Sequence, residues 1–247
     1  IGAGSLGGRV AEQLCMAGIG NIDIYDPDTL NTENVGRHIL GVESVGLIKS
    51  AALAEMLLRR FPQLTIKSHP LGWEEDLQNL QGRSPILGAD MIISTIGELQ
   101  SNRFLNAALA AQKFKQPIPP IIFSWGEPFC CAGKAVYVDL YRGCLECGVD
   151  SHVSISTQAT IFSEGILQRM QPACGDSFMP YGALEMSSVA SMTTTLAIQA
   201  IMGKVEPGVQ RIYVGSQDLL DIHQGKWADW IAPYINVNQE SMILSFE

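Results

Sequence analysis

Ile1-Gly-Ala-Gly-Ser-Leu-Gly-Gly8 opens the chain, and Ile22-Asp-Ile-Tyr-Asp-Pro-Asp28 follows it after one helix-length. Gly2, Gly4 and Gly7 form a GxGxxG. The first two allow a tight turn and close approach to a phosphate, and the third lets the next helix pack on its strand. Val10 and Leu14, with Ala11 and Cys15, recur at helical spacing, Gly18 suits the C′ position, and Ile22, Ile24 and Tyr25 read as the next strand. Such a helix aims free N–H groups and the positive end of its dipole at a phosphate. Asp26 falls at the strand's end, 22 residues beyond Gly4, where a carboxylate can bind ribose hydroxyls. The alternative is a tight strand-to-helix turn that holds no ligand. The stretch predicts an α/β fold of Rossmann type, a mostly parallel sheet with helices on both faces, built to hold a nucleotide.

The 247 residues suit one α/β domain, or a domain with a sizeable insertion. A net charge of −9 without a Lys or Arg cluster argues against a nucleic-acid or anionic-membrane surface. No run of 18 apolar residues is present to span a membrane. Six cysteines in so core-rich a chain do not read as a disulfide scaffold and point to a reducing cytoplasm. Ile1 directly precedes the glycine loop, so the chain opens inside the first strand of the motif and an upstream region is expected.

Further along, Leu47, Ala51, Ala54 and Leu58 share one face of a helix that Pro62 ends. Lys49 lies in its first turn, where a cation opposes the helix dipole unless an anion is near. Leu64 to His69 alternates like a half-exposed strand, with His69 a surface residue, and Trp73 to Gln81 reads as a short helix. Ala89 to Ile96 is a buried strand ending at Gly97-Glu98, and Leu99 to Lys115 is an alanine-rich helix. Ligands gather at the carboxyl ends of strands in open α/β sheets, which places Gly97, Glu98 and Arg103 near Asp26 and Arg37. Pro119 to Trp125 and Lys134 to Leu140 read as strands joined by a loop whose Cys130 and Cys131 belong to the core. Cys144 and Cys147 form a CxxC, half a zinc site or a redox pair, with no second CxxC or HxxxH to complete four ligands. Residues 148–182 read as a long loop. Within it Cys174, flanked by small residues, is a candidate nucleophile, although no neighbouring His or Lys in sequence lowers its pKa. Ala183 to Met202 is a long helix stopped by Gly203, Gln210 to Val214 is a late strand, and Trp227, Trp230 and Tyr234 are cover for the sheet or contact for a partner.

The glycine loop, Asp26-Pro-Asp28, Asn34, Arg37 and Val45-Gly-Leu-Ile-Lys49, in this order and spacing, resemble the ThiF/MoeB/HesA family of adenylating enzymes, the E1 fold that activates ubiquitin and ubiquitin-like sulfur carriers. The resemblance covers nearly the whole chain and implies one E1-like adenylation domain over residues 1–247. It implies that Asp26 binds the ribose of ATP and that Asn34, Arg37 and Lys49 surround the triphosphate, with Asp28 also at the nucleotide. A dinucleotide dehydrogenase has no reason for that Asn, Arg and Lys series. Two departures stand out. The family's Mg²⁺-binding Asp is replaced by Ile96-Gly97-Glu98, so that Glu98 substitutes one position later or metal handling is altered. The family's second zinc CxxC is absent, leaving Cys144 and Cys147 alone. Cys174 matches the place where thioester-forming members carry their cysteine. The segment from Cys174 to Gly182 is similar to E1 domains of bacterial ubiquitin-like conjugation systems found beside antiviral genes, including E2–E1 fusions.

The resemblance therefore implies ATP-dependent adenylation of the C-terminal carboxylate of a ubiquitin-like protein or other protein ending in glycine, followed by acyl transfer to Cys174. An E2-like partner, a homodimer and a cytoplasmic location go with it. Three alternatives stand beside this reading. One is a sulfur-carrier adenylyltransferase of thiamin or molybdopterin biosynthesis. Another is an NAD-dependent oxidoreductase, supported by the glycine loop and Asp26 alone. The third is a nucleotide-binding scaffold without catalysis, supported by the missing Asp at Gly97.

Overall fold

The apolar stripe after the glycine loop folds as α1 (Ser5–Met16), which buries Leu6, Val10, Ala11, Leu14 and Cys15, and Gly18 closes it with a positive φ of 89°. This computed structural model describes residues 1–78, 84–148, 158–168, 182–236 and 240–246. In chain order α1 is followed by β1 (Asn21–Tyr25), α2 (Thr32–Val35), α3 (Lys49–Arg60), β2 (Thr65–His69), α4 (Trp73–Gln78), α5 (Pro85–Gly88), β3 (Ile92–Ser94) and α6 (Leu99–Gln112). The second half runs β4 (Ile121–Gly126), β5 (Ala132–Val138), β6 (Thr160–Ile161), α7 (Glu164–Gln168), α8 (Ala183–Ile201), β7 (Gln210–Val214), α9 (Gln217–Ile222), β8 (Lys226–Trp227) and β9 (Met242–Phe246). No helix among the described residues is long and apolar enough to cross a membrane.

β1 and β2 pair in parallel, while β3-β4-β5-β7-β9 forms a five-stranded sheet that is parallel at β3-β4 and antiparallel beyond. Ile1 and Gly2 join the two. Gly2 N–H donates to Tyr25 O at 2.8 Å on one side, and Thr95 N–H donates to Ile1 O at 2.8 Å on the other. The glycine loop thus leaves the middle of one continuous surface, between the carboxyl ends of β1 and β3. On one face α1 and α8 bury Val10, Leu14, Val189 and Leu196 against Ile122, Ala135 and Tyr137. On the other, Leu105 and Leu109 of α6 pack with Ile121, Phe123 and Val136. Cys130 and Cys131 are fully buried, and burial pushes the Cys131 thiol up to about 12, as core residues should behave.

Several elements depart from the sequence reading. The buried residues of α3 are Ser50, Ala52, Leu53, Ala54 and Leu57, so of the expected Leu47, Ala51, Ala54 and Leu58 only Ala54 is fully buried; Leu47 precedes the helix and, like Ala51, is exposed, and Leu58 is half-buried. The register turns because the Ser50 hydroxyl donates to Asp26 O at 2.8 Å and so can be buried. The span 148–182 is not all loop, since it carries β6 and α7. Trp227 sits on β8, which pairs with β6. Ala228 and Ile231 pack on Ala132, Ile212 and Val214, with Trp230 against them, so this stretch covers the sheet. Buried Glu127, just beyond β4, ties down the start of β6 by accepting from Ala159 N–H at 2.8 Å, Thr160 N–H at 2.9 Å and the Thr160 hydroxyl at 2.7 Å. Burial pushes its carboxyl up, and burial drives nearby Lys134 down to about 8 while Glu127 opposes that shift.

Candidate nucleotide site

Each glycine of the loop has a distinct reason to be glycine. A Cβ on Gly7 would lie 1.9 Å from Gly2 O and 2.5 Å from Thr95 Oγ1, so any side chain would push α1 off the loop. Gly2 has a φ of 91°, and a Cβ there would meet the Thr95 and Ile96 backbone at 3.1–3.2 Å. A Cβ on Gly4 would meet nothing within 4 Å, so the space before α1 is open. No side chain caps this helix, and first-turn N–H groups have no intrahelical acceptor. The loop therefore faces an open space with donors and the positive end of a dipole, an arrangement suited to phosphate.

Asp26 is buried directly after β1. Its Oδ2 accepts from Ala3 N–H at 2.6 Å and its Oδ1 from Asp28 N–H at 2.9 Å, so the acid fastens the glycine loop as well as standing at the strand's end. Lys49 is the first residue of α3, and its Nζ lies 2.8 Å from Asp28 Oδ2. That carboxylate supplies the anion that a cation at a helix N-terminus needs. Asn34 caps its own short helix, its Oδ1 accepting from Asn31 N–H at 3.1 Å. The Arg37 carbonyl accepts from Arg9 Nη1 at 2.6 Å; the same guanidinium reaches Ser5 O at 2.7 Å and the Ser187 hydroxyl on α8 at 3.0 Å. Gly97, with a φ of 86°, and exposed Glu98 follow β3 at the carboxyl edge, where Glu98 accepts from the Ser101 hydroxyl at 2.8 Å.

The structure thus brings Gly2, Gly4, Gly7, Asp26, Asp28 and Lys49 to one end of the sheet, with Asn34 and Arg37 in the segment between. Arg103 goes elsewhere: it makes a bidentate ion pair with Glu146 at 2.6 and 2.9 Å, which turns its charge toward the 144–148 turn. That turn is held on α6, with Asn106 Oδ1 accepting from Leu145 N–H at 3.0 Å. It brings Cys144 and Cys147 to an Sγ–Sγ distance of 3.3 Å. Among the described residues, no group of three or more His, Cys, Asp or Glu could hold a metal, so the pair lacks the remaining ligands of a zinc site there. Mg²⁺ needs no such cluster, because it is held through one or two carboxylates and substrate phosphates. Cys174 lies outside the described residues.

Two residues of the site went unread in the sequence. Buried His38 reaches Ala3 O through Nε2 at 2.6 Å, and Arg9 braces the segment carrying Arg37. Both act on backbone carbonyls, which leave no residue-type signal; the one available pointer was the adjacency of His38 to Arg37.

The ThiF family model matches residues 1–223. The ATP-dependent ubiquitin transferase-like protein Cap2 of Vibrio cholerae is 27% identical over 237 residues, which cover 92% of this chain and 38% of that protein. Rice ubiquitin-like modifier-activating enzyme 5 is 30% identical over 117 residues, 44% of this chain and 28% of its own. The solved structure of E. coli MccB with ATP matches with a TM-score of 0.62 at 19% identity, covering 100% of this chain and 61% of that one, a likeness of fold. The chain thus spans well under half of the Cap2 relative. With its glycine loop, Asp26 and Lys49 gathered at one end of such a fold and the family model matched through residue 223, the chain belongs to the ThiF family.

Proposed function

We propose that the chain is an E1-type adenylating domain. It binds ATP with Mg²⁺ and activates the C-terminal carboxylate of a ubiquitin-like protein or another protein ending in glycine. The observation that carries this reading is the Asp28–Lys49 pair at the N-terminus of α3, close to Asp26 and the glycine loop. A cation held there by Asp28 suits a triphosphate, whose charge exceeds that of a dinucleotide's pyrophosphate. The carboxylate oxygen bonds to the α-phosphorus and pyrophosphate leaves, so negative charge accumulates, and Arg37 and Lys49 are the cations assigned to offset it. Mg²⁺, held through phosphate oxygens and an acid such as Glu98, would neutralise part of the same charge. The acyl adenylate is a mixed anhydride, so the Cys174 thiolate can take the acyl group and release AMP. The names of the Cap2 and modifier-activating relatives support a ubiquitin-like substrate, and a bacterial conjugation system with an E2-like acceptor comes from the sequence resemblance. The sequence resemblance adds an antiviral setting, a homodimer and a cytoplasmic location to the proposal.

Pyrophosphate–ATP exchange in the presence of candidate proteins ending in glycine tests it. Exchange should depend on the added protein and fall by about 10²–10³-fold in Arg37→Ala or Lys49→Ala. Cys174→Ala should keep exchange and lose any thiol-sensitive protein adduct. Exchange lost with Cys174, or unchanged without Arg37 and Lys49, contradicts this division of roles.

A further inference from the structure

The peptide of Ala3 is clamped on both sides. Its N–H donates to Asp26 Oδ2 at 2.6 Å, and its carbonyl is 2.6 Å from His38 Nε2. The tautomer follows from the other nitrogen: Leu40 N–H donates to His38 Nδ1 at 3.1 Å, so Nδ1 is bare and Nε2 carries the proton given to Ala3 O. The neighbouring carbonyls are likewise drawn inward. Ile1 O accepts from Thr95 N–H at 2.8 Å, Gly2 O from the Thr95 hydroxyl at 2.8 Å and Gly4 O from Gly8 N–H at 2.8 Å. A phosphate in the open space before Gly4 therefore meets amide hydrogens and no free carbonyl of residues 1–4. Three of these four carbonyls are held by the glycine loop's immediate framework of β3 and α1; the Ala3 carbonyl alone depends on a side chain from the segment that bears Arg37.

We propose that His38 is a positioning residue for the nucleotide: as a neutral Nε2–H imidazole it holds the Ala3 carbonyl out of the phosphate site and joins the glycine loop to the Arg37 segment. This rests on the reading of the site as one for ATP. A proton added at Nδ1 would leave Nε2–H as a donor but oppose the Leu40 N–H, so the ring would lose the bond that orients it between the Arg37 segment and Ala3 O. The charged groups facing the ring are Asp26 from the end of β1, Lys49 from α3 and Arg9 from α1; burial first, then the two cations, keep it below its ordinary 6.5 at neutrality. ATP affinity should therefore be level through neutral pH and fall in acid as the ring charges.

ATP binding measured by calorimetry from neutral to acid pH, on wild type, His38→Ala and His38→Gln, tests the proposal, with urea midpoints confirming that each variant is folded. Glutamine can donate to Ala3 O and accept from Leu40 N–H, but it does not titrate. His38→Ala should bind ATP about tenfold more weakly. His38→Gln should stay within about threefold of wild type and lose the part of the acid-side decline that is due to the ring. Equal affinity for the alanine variant and wild type overturns the proposal, as does a glutamine variant that binds as weakly as alanine or keeps the full acid-side decline. If folded wild type binds no ATP at all, the nucleotide reading falls and takes this proposal with it. If His38→Ala does not fold, the glutamine variant and the wild-type pH profile decide.

Discussion

Ser50 is a hydroxyl at the start of the buried face of α3, and its environment explains why it is tolerated. The side chain is fully buried, and its hydrogen goes to Asp26 O at 2.8 Å, which ties α3 to the end of β1 beside the site. Ser50→Ala should lower the unfolding free energy by about 1–3 kcal/mol, because a buried carbonyl loses its donor; urea denaturation measures this. A change within about 0.5 kcal/mol, the ordinary range for surface substitutions, would show that the bond does not hold the two elements together. The same residue shows where the sequence is opaque. Counting serine as polar turned the inferred face of α3 by one position, although Ala54 was common to both readings. Asp26, by contrast, was legible, because its distance from the glycine loop is set by one helix and one strand. Its grip on the Ala3 and Asp28 amides was not, since backbone donors carry no residue signature.

At the scale of elements, α1 and the loop before it form one unit, and two glycines separate its stability from its binding. A Cβ on Gly7 would collide with the Gly2 carbonyl at 1.9 Å, whereas one on Gly4 would enter open space. Gly7→Ala should therefore destabilise the fold by about 1–3 kcal/mol through overpacking, with loss of binding as a consequence. Gly4→Ala should keep a near wild-type urea midpoint and still weaken ATP binding by at least about tenfold, because its methyl occupies the volume meant for phosphate. If Gly4→Ala binds ATP normally, the open space is not the phosphate site. Elements with strong local patterns, α1, β1, α8 and β7, were readable in the sequence because a 3.6-residue period or a run of β-formers marks each one. β6, α7 and β9 were not. β6 has two residues, α7 five, and β9 is an edge strand whose pairing with β7 spans the intervening β8 region.

At the scale of the molecule, Ile1 and Gly2 bond to β1 on one side and to the end of β3 on the other, so among the described residues the loop that faces the nucleotide is also a seam between the two halves of the sheet. Asp26, Asp28 and Lys49 stand on one side of that seam, Gly97 and Glu98 on the other. The architecture was legible as α/β, and the antiparallel half beyond β4 was not, because it starts with the short 127–131 connection between β4 and β5 and goes on through long, weakly patterned connections from β5 to β7 and from β7 to the edge strand β9. The central claim is that this seam binds a nucleoside triphosphate and not a dinucleotide. Calorimetric titration with ATP·Mg²⁺ and, in the same buffer, with NAD, for wild type and Arg37→Ala, tests it most directly. The account predicts binding of ATP alone, weakened by about tenfold or more in Arg37→Ala; binding of NAD alone, with ATP inert, would contradict it.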